Sequence, residues 1–275
     1  MSIEKWMVVL AAASLAAWSC GPKKADAPKV LVLYYSQTSN TKTVAQEIAT
    51  KLGADIEGIV PVNPYDGDFK ATIDRCLQEK AEGIVPELHP LASDLSAYDI
   101  IFLGYPVWFG TYAPPVAALL DSAAFSGKIV VPFCTFGSGG LDSSSKDLEA
   151  KLPGSVILPG YGVRAARMDA VPVEVDRFLK AYGFIDGDVF LPEDFPAPHP
   201  AGEEESAIFD AAVDGYPMLH AKASQVAARA VEDGTEYLFT AIDQPGPDFP
   251  GAPREIKVYV LVENGKAPVF TQVVR

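Results

Sequence analysis

Three histidines and three cysteines are all that 275 residues provide of imidazole and thiol metal ligands. His89, His199 and His220 are far apart, no C-x-x-C pair occurs, and a metal centre is therefore not expected. Basic clusters are lacking too. Lys and Arg number 22 against 36 Asp and Glu, a net charge of −14, and without a basic face the chain has nothing to hold nucleic-acid phosphates. The N-terminal apolar run, Trp6 to Trp18, covers thirteen residues, too few to span a bilayer comfortably. Nor does a G-x-G-x-x-G follow any predicted strand, which excludes a built-in nicotinamide domain of that type.

What is present begins with a targeting element. Residues 1–19 combine Lys5, the apolar run and the small residues leading to Cys20, and a polar tether follows over 20–28. The segment resembles a bacterial lipoprotein signal, which implies lipidation of Cys20 and a mature protein exported to the cell envelope or periplasm and held to a membrane through a lipid anchor, with an ordinary cleaved signal or an uncleaved anchor as the alternatives. The remaining length suits two compact units of unequal size. Cys76, in a predicted helix, and Cys134, ending a predicted strand, are expected as buried free thiols, with pairing in an oxidising compartment as the alternative.

The most informative stretch is Val30-Leu-Val-Leu-Tyr-Tyr followed by Ser36-Gln-Thr-Ser-Asn-Thr41 and a segment with Val44, Ile48 and Leu52 at helical spacing. It reads as a buried parallel strand, a hydroxyl-rich loop and a helix. Hydroxyl and amide side chains beside the free N–H groups of a helix N-terminus bind phosphate, although the same residue types also serve as ordinary caps. The loop resembles the phosphate loop of flavodoxins, with Ser36, Thr38 and Thr41 at its hydroxyl positions. Ser39 stands where that family usually has glycine, a strained choice if the backbone there needs a positive φ.

Strands and helices keep alternating. Predicted strands cover 54–62, 99–104, 128–134 and 155–158, and predicted helices 68–82, 116–121, 143–152 and 171–182, with Ile73 and Leu77 on one face of the first. This is the pattern of a doubly wound α/β domain over 29–184 with a five-stranded parallel sheet, and the flavodoxin resemblance implies the order 2-1-3-4-5. Two further loops would share the first loop's edge of the sheet. Tyr105 to Pro115 carries Trp108 and Phe109 among prolines, and Thr135-Phe-Gly-Ser-Gly-Gly140 carries three glycines that let a backbone approach a flat ligand. Each loop also has a purely structural use in its own turn.

Residues 30–165, above all 98–111 and 132–140, resemble flavodoxin-like proteins of gut and anaerobic bacteria. The resemblance implies noncovalent FMN, with Ser36, Gln37, Thr38, Ser39, Asn40 and Thr41 on the phosphate. It also implies Pro106, Val107, Trp108, Phe109 and Gly110 against the ring, and Thr135, Phe136, Gly137, Ser138 and Gly139 on the pyrimidine side. No catalytic acid or base is indicated, since Asp142 beyond the third loop serves equally as a helix cap.

A proline-rich linker is expected over 185–202, then a small α+β module over 203–275. A helix near 205–213 and strands at 236–242, 255–262 and 269–274 are predicted, with a hairpin at Glu263 to Lys266. Segment 221–231 suits either a helix or a strand. Ala230 to Phe239 is similar to the signature region of cystatins, without its glutamine, which implies a cystatin-like fold but fixes no activity, and a small module that shields the first domain or docks a partner is the plainer reading. Three functions follow. They are an electron carrier serving a redox protein, an FMN-dependent reductase of a quinone or similar small acceptor, and a non-redox binding scaffold with a degenerate flavin site.

Overall fold

A computed structural model describes residues 27–66, 68–244 and 252–275. The targeting element, Cys20 and most of the tether lie outside the described residues. The chain forms two compact units, one running to Phe136 and resuming over Leu141–Asp188, the other made of Gly137–Gly140 and Val189–Arg275.

The first unit alternates strands and helices: β1 (Val30–Tyr34), α1 (Asn40–Leu52), β2 (Asp55–Gly58), α2 (Phe69–Glu82), β3 (Ile100–Trp108), β4 (Thr111–Tyr112), α3 (Pro114–Ser122), β5 (Ile129–Phe136), α4 (Leu141–Lys151), β6 (Val156–Ile157), β7 (Tyr161–Arg164) and α5 (Val171–Ala181). The sheet runs β2-β1-β3-β5-β6, with β7 also parallel to β5 and the short β4 antiparallel to β3. This is the expected doubly wound order. The strands are apolar without alternation because both faces are covered. Leu31, Leu33, Ile101 and Leu103 meet Val116 and Leu119 of α3 and Leu148 of α4, whereas Val32, Phe102 and Val131 meet Val44 and Ile48 of α1 and Val175 and Leu179 of α5. At Gly104 a Cβ would stand 2.1 Å from the Phe133 ring, so the two central strands need glycine there.

Several local readings change. β3 continues to Trp108 and pairs Pro106 with Thr135 of β5. Pro106, Val107 and Trp108 are therefore strand residues rather than loop residues, as are Thr135 and Phe136, and only Phe109–Gly110 turns the chain into β4. Pro114 and Pro115 open α3 instead of stiffening a loop, because the first helical turn has no use for the missing N–H. Helix α2 buries Thr72, Cys76 and Glu79, while Leu77 is 51% exposed. Its inner side is the polar one.

In the second unit β8 (His199–Pro200), α6 (Glu203–Val213), β9 (Ala221–Val231), β10 (Gly234–Asp243), β11 (Arg254–Glu263) and β12 (Val269–Val274) form an antiparallel sheet ordered β12-β11-β10-β9-β8. Segment 221–231 is a strand, since its partner across the hairpin is the apolar run of β10. Phe209 of α6 packs edge-on against Phe239, 5.2 Å between ring centres, in a core with Val226, Val258 and Phe270. The proline-rich stretch before β8 lies against this sheet as well. Phe195 meets Tyr259 at 6.0 Å, and the Arg229 guanidinium sits 4.2 Å from the Phe195 ring centre.

Candidate functional site

Parallel order places the C-terminal ends of β1, β3 and β5 side by side, and the crevice beyond such ends is where α/β sheets bind ligands. The first loop leaves β1 at Tyr35, whose N–H bonds the Gly104 carbonyl at 2.9 Å, and turns into α1 through Ser39. Ser39 has φ 70°, the left-handed region, and its side chain makes no capping bond. The capping role open to these hydroxyls on sequence grounds is thus not taken up by Ser39. The Thr43 N–H to the Ser39 carbonyl, 2.9 Å, is the first bond of the helix, so the N–H groups ahead of it have no helical acceptor. Beneath them the Ser36 hydroxyl is buried without any hydrogen-bond partner. A buried polar group left unpaired costs about 1–3 kcal/mol, and here it stands beside unused donors at the positive end of a helix. That donor set fits a phosphate.

The other four loop residues divide. Thr38 is exposed and Asn40 half-buried. Thr41 is 1% exposed and its hydroxyl meets that of Thr135 at 2.8 Å, which joins the first loop to the end of β5. Gln37 turns away from the helix terminus, its amide donating to the Tyr65 carbonyl at 2.9 Å and to the Thr72 hydroxyl at 2.7 Å. Its place among the phosphate contacts is taken by a structural tie.

Ser39 carries a conformational cost that glycine would not, about 1–2 kcal/mol for a side chain in the left-handed region. Ser39→Gly is expected to raise the stability of the ligand-free protein by about 1 kcal/mol, read as a higher urea midpoint at unchanged slope. An unchanged midpoint would mean that the loop relaxes without strain.

At the end of β3, Trp108 is half-buried and packs edge-on against Tyr35 and Tyr65, with ring centres 5.9 and 5.3 Å away. Phe109 takes φ 52° and is 64% exposed, and Gly110 follows at φ 82°. The turn therefore keeps the indole against the domain and presents the phenyl ring outward. At the end of β5, Thr135 and Phe136 are each 5% exposed. The last four residues of the third predicted loop, Gly137–Gly140, belong to the second unit. There the Val273 N–H donates to the Ser138 carbonyl at 2.6 Å, Arg275 reaches the Ser138 hydroxyl at 3.0 Å, and a Cβ on Gly139 would lie 2.1 Å from the Val273 carbonyl oxygen. The bare backbone at Gly139 is used by β12.

Two residues that sequence reasoning passed over belong to this neighbourhood, Tyr35 and Tyr65, each about 4% exposed. Burial raises the pKa of both phenols, and at Tyr65 the bond from its hydroxyl to Glu79, 2.6 Å, raises it further. The thiols are equally muted. Burial lifts Cys76 to about 11 and Cys134 well above the ordinary thiol range, and both are free. Neither is a nucleophile at neutral pH. Among the described residues no group of three His, Cys, Asp or Glu could hold a metal. A cavity of about 650 Å³ lies elsewhere, between α3 and the segment Leu88–Ser96, with Lys128 in its wall.

Residues 29–188, more than half of the chain, match the sequence model of the Flavodoxin family. The chain belongs to that family. Solved structures with similarity to this flavodoxin include a Bacteroides uniformis protein described as a flavoprotein, 26% identical over 55% of this chain and 99% of its own, with a TM-score of 0.49. A Bacteroides eggerthii protein so described is 26% identical over 55% and 97%, TM-score 0.48. A Lactobacillus acidophilus flavoprotein in complex with FMN is 26% identical over 54% and 97%, TM-score 0.45. Those overlays add no weight of their own, and the family assignment stands on the 29–188 match.

Proposed function

We propose that this flavodoxin binds FMN noncovalently at the β1, β3 and β5 ends of its first unit and works as an electron carrier outside the cytoplasm. One observation carries the FMN reading, the partnerless Ser36 hydroxyl buried beneath an uncapped helix N-terminus. Ser36, Thr38, Ser39, Asn40 and the first N–H groups of α1 would hold the phosphate, and Trp108 and Phe109 would offer the ring its apolar surface. Bound there, FMN supplies reversible electron storage. The chain's own residues bind and orient it. Hydroxyls and N–H groups fix the phosphate end, and the Tyr35–Trp108–Tyr65 cluster sets the rigidity of the wall. The buried carboxylate beside this wall, Glu79, is held by Arg75 and the Tyr65 hydroxyl and so is not open to a substrate, which favours transfer to a protein over acid–base chemistry on a small molecule. With a net charge of −14, attraction speeds encounter with basic partners.

Electron transfer is tested by loading FMN, reducing it chemically and mixing with a small basic haem protein as acceptor. Fast, salt-sensitive oxidation of the flavin supports a carrier. Steady NAD(P)H consumption with a quinone, and slow reaction with the haem protein, would make it a reductase instead.

Export and anchoring form part of the same proposal, supported by the signal-like residues 1–19 and Cys20. Cys20→Ser is expected to abolish incorporation of labelled palmitate and to move the protein out of the membrane fraction. Equal labelling of both forms would remove the lipid anchor.

A further inference from the structure

The polar inner side of α2 forms a network. The Arg75 guanidinium donates to the Pro64 carbonyl at 2.6 Å, to the Asn63 carbonyl at 3.1 Å and to Glu79 at 2.8 Å. Its centre lies 3.7 Å from the middle of the Tyr65 ring. Glu79, 8% exposed, spends its second oxygen on the Tyr65 hydroxyl at 2.6 Å. Tyr65 is therefore held by its ring face and its hydroxyl, and the carbonyls of the two residues before it are held as well. Its own carbonyl and Thr72 take the two bonds from Gln37 of the first loop, and its ring edge supports Trp108. Five side chains on three segments thus converge between the first loop and the indole. A helix that needed only to cover the sheet would bury apolar residues there, and α2 instead exposes Phe69 and Leu77.

From this geometry we propose that Arg75 and Glu79 are positioning residues for the flavin site. Resting on the FMN reading above, the inference is that they fix Tyr65, that Tyr65 fixes the plane of Trp108, and that Gln37 extends the same frame to the phosphate loop. Preorganisation of this kind decides how much binding energy survives the cost of ordering the site. Lysine cannot replace Arg75, because an ammonium lacks the planar fork that bonds two carbonyls and a carboxylate while covering a ring.

The test uses the chain without residues 1–20. All three apolar cores are built from residues 31–273 and stay whole, and Trp108 becomes the sole tryptophan. Its emission then reports the indole in the absence of flavin, while FMN titration and the fluorescence of bound FMN report the site. Arg75→Met is expected to shift Trp108 emission to longer wavelength, to weaken FMN binding roughly 10-fold as the side chains of the site must be ordered on binding, and to leave the bound flavin less quenched. Arg75→Lys should fail to restore these values. Lys70→Met, on the same helix at an exposed pair with Asp74, should change none of them.

Arg75→Met with unaltered FMN affinity and quenching overturns the proposal, whether or not the indole emission moves. Should Arg75→Met fail to fold, Tyr65→Phe decides, since it removes only the hydroxyl bond to Glu79. A smaller shift of the same sign in all three readouts is expected, and no shift overturns the proposal. A parent chain that retains no FMN overturns the functional reading and this inference together, whereas binding that is insensitive to Arg75 and Tyr65 overturns this inference alone.

Discussion

Ser36→Ala is expected to act with opposite sign on the two states of the protein. Without ligand the substitution removes a buried hydroxyl that has no partner, and relief of that desolvation should leave the protein equally stable or more stable, by about 1 kcal/mol. On the proposed binding mode the same hydroxyl would donate to a charged phosphate oxygen, a bond worth about 1.5–3 kcal/mol. Affinity should therefore fall roughly 10- to 150-fold. Combined with Thr38→Ala, at the exposed neighbouring hydroxyl, the loss should exceed either single effect. The measurement is a thermal or urea melt of the ligand-free variant beside an FMN titration. A variant less stable without ligand and unchanged in affinity would show that Ser36 belongs to the core and not to a phosphate site.

The second large effect concerns Trp108. On the sequence alone, an indole in a loop against a flavin should change spectra more than stability when it is removed. The structure places it at the end of β3, packed on Tyr35 and Tyr65, so Trp108→Ala should do both. A stability loss of about 2–3 kcal/mol is expected, below the 3–5 typical of a fully buried aromatic because the ring is only half-covered. The bound flavin should also lose quenching. Denaturant midpoints and bound-flavin fluorescence read the two effects separately. Unchanged stability would place the indole outside the aromatic cluster, and unchanged fluorescence would place the flavin away from the indole. Phe109, exposed at positive φ, is the natural comparison. Its truncation should leave stability nearly unaltered.

The buried strands were legible because each central strand is an unbroken apolar run, as a sheet covered on both faces requires, and their order followed from the flavodoxin resemblance. The first loop was legible for a similar reason, since six polar residues between a buried strand and an amphipathic helix leave few other geometries. What sequence could not show was where strands end. Pro106 and Thr135 carry loop-like residue types, yet they pair with each other inside the sheet. β7 was hidden by Gly160 and Gly162, which interrupt its apolar pattern. A Cβ on Gly160 would stand 2.3 Å from the Pro132 carbonyl oxygen, so the glycine marks close packing rather than a turn.

Helix α2 was placed correctly but its orientation was not. Ile73 and Leu77 suggest an inward apolar stripe, and the helix instead turns Thr72 and Glu79 inward, with Cys76 in the apolar core between them, because Gln37 and Tyr65 supply polar partners from distant segments. The i,i+4 spacing of Arg75 and Glu79 was visible and reads as an ordinary surface pair. Its contact with Tyr65, on the segment between β2 and α2, is what ties it to the aromatic cluster. The bonds of the Gln37 amide to Tyr65 and Thr72 were out of reach of the sequence for the same reason.

The most direct measurement of the central claim is retention of flavin. The chain without residues 1–20 is incubated with excess FMN, freed of unbound ligand, and examined by visible absorbance and flavin fluorescence. The account predicts one FMN per chain with strongly quenched emission, and it is contradicted by a folded protein that retains none.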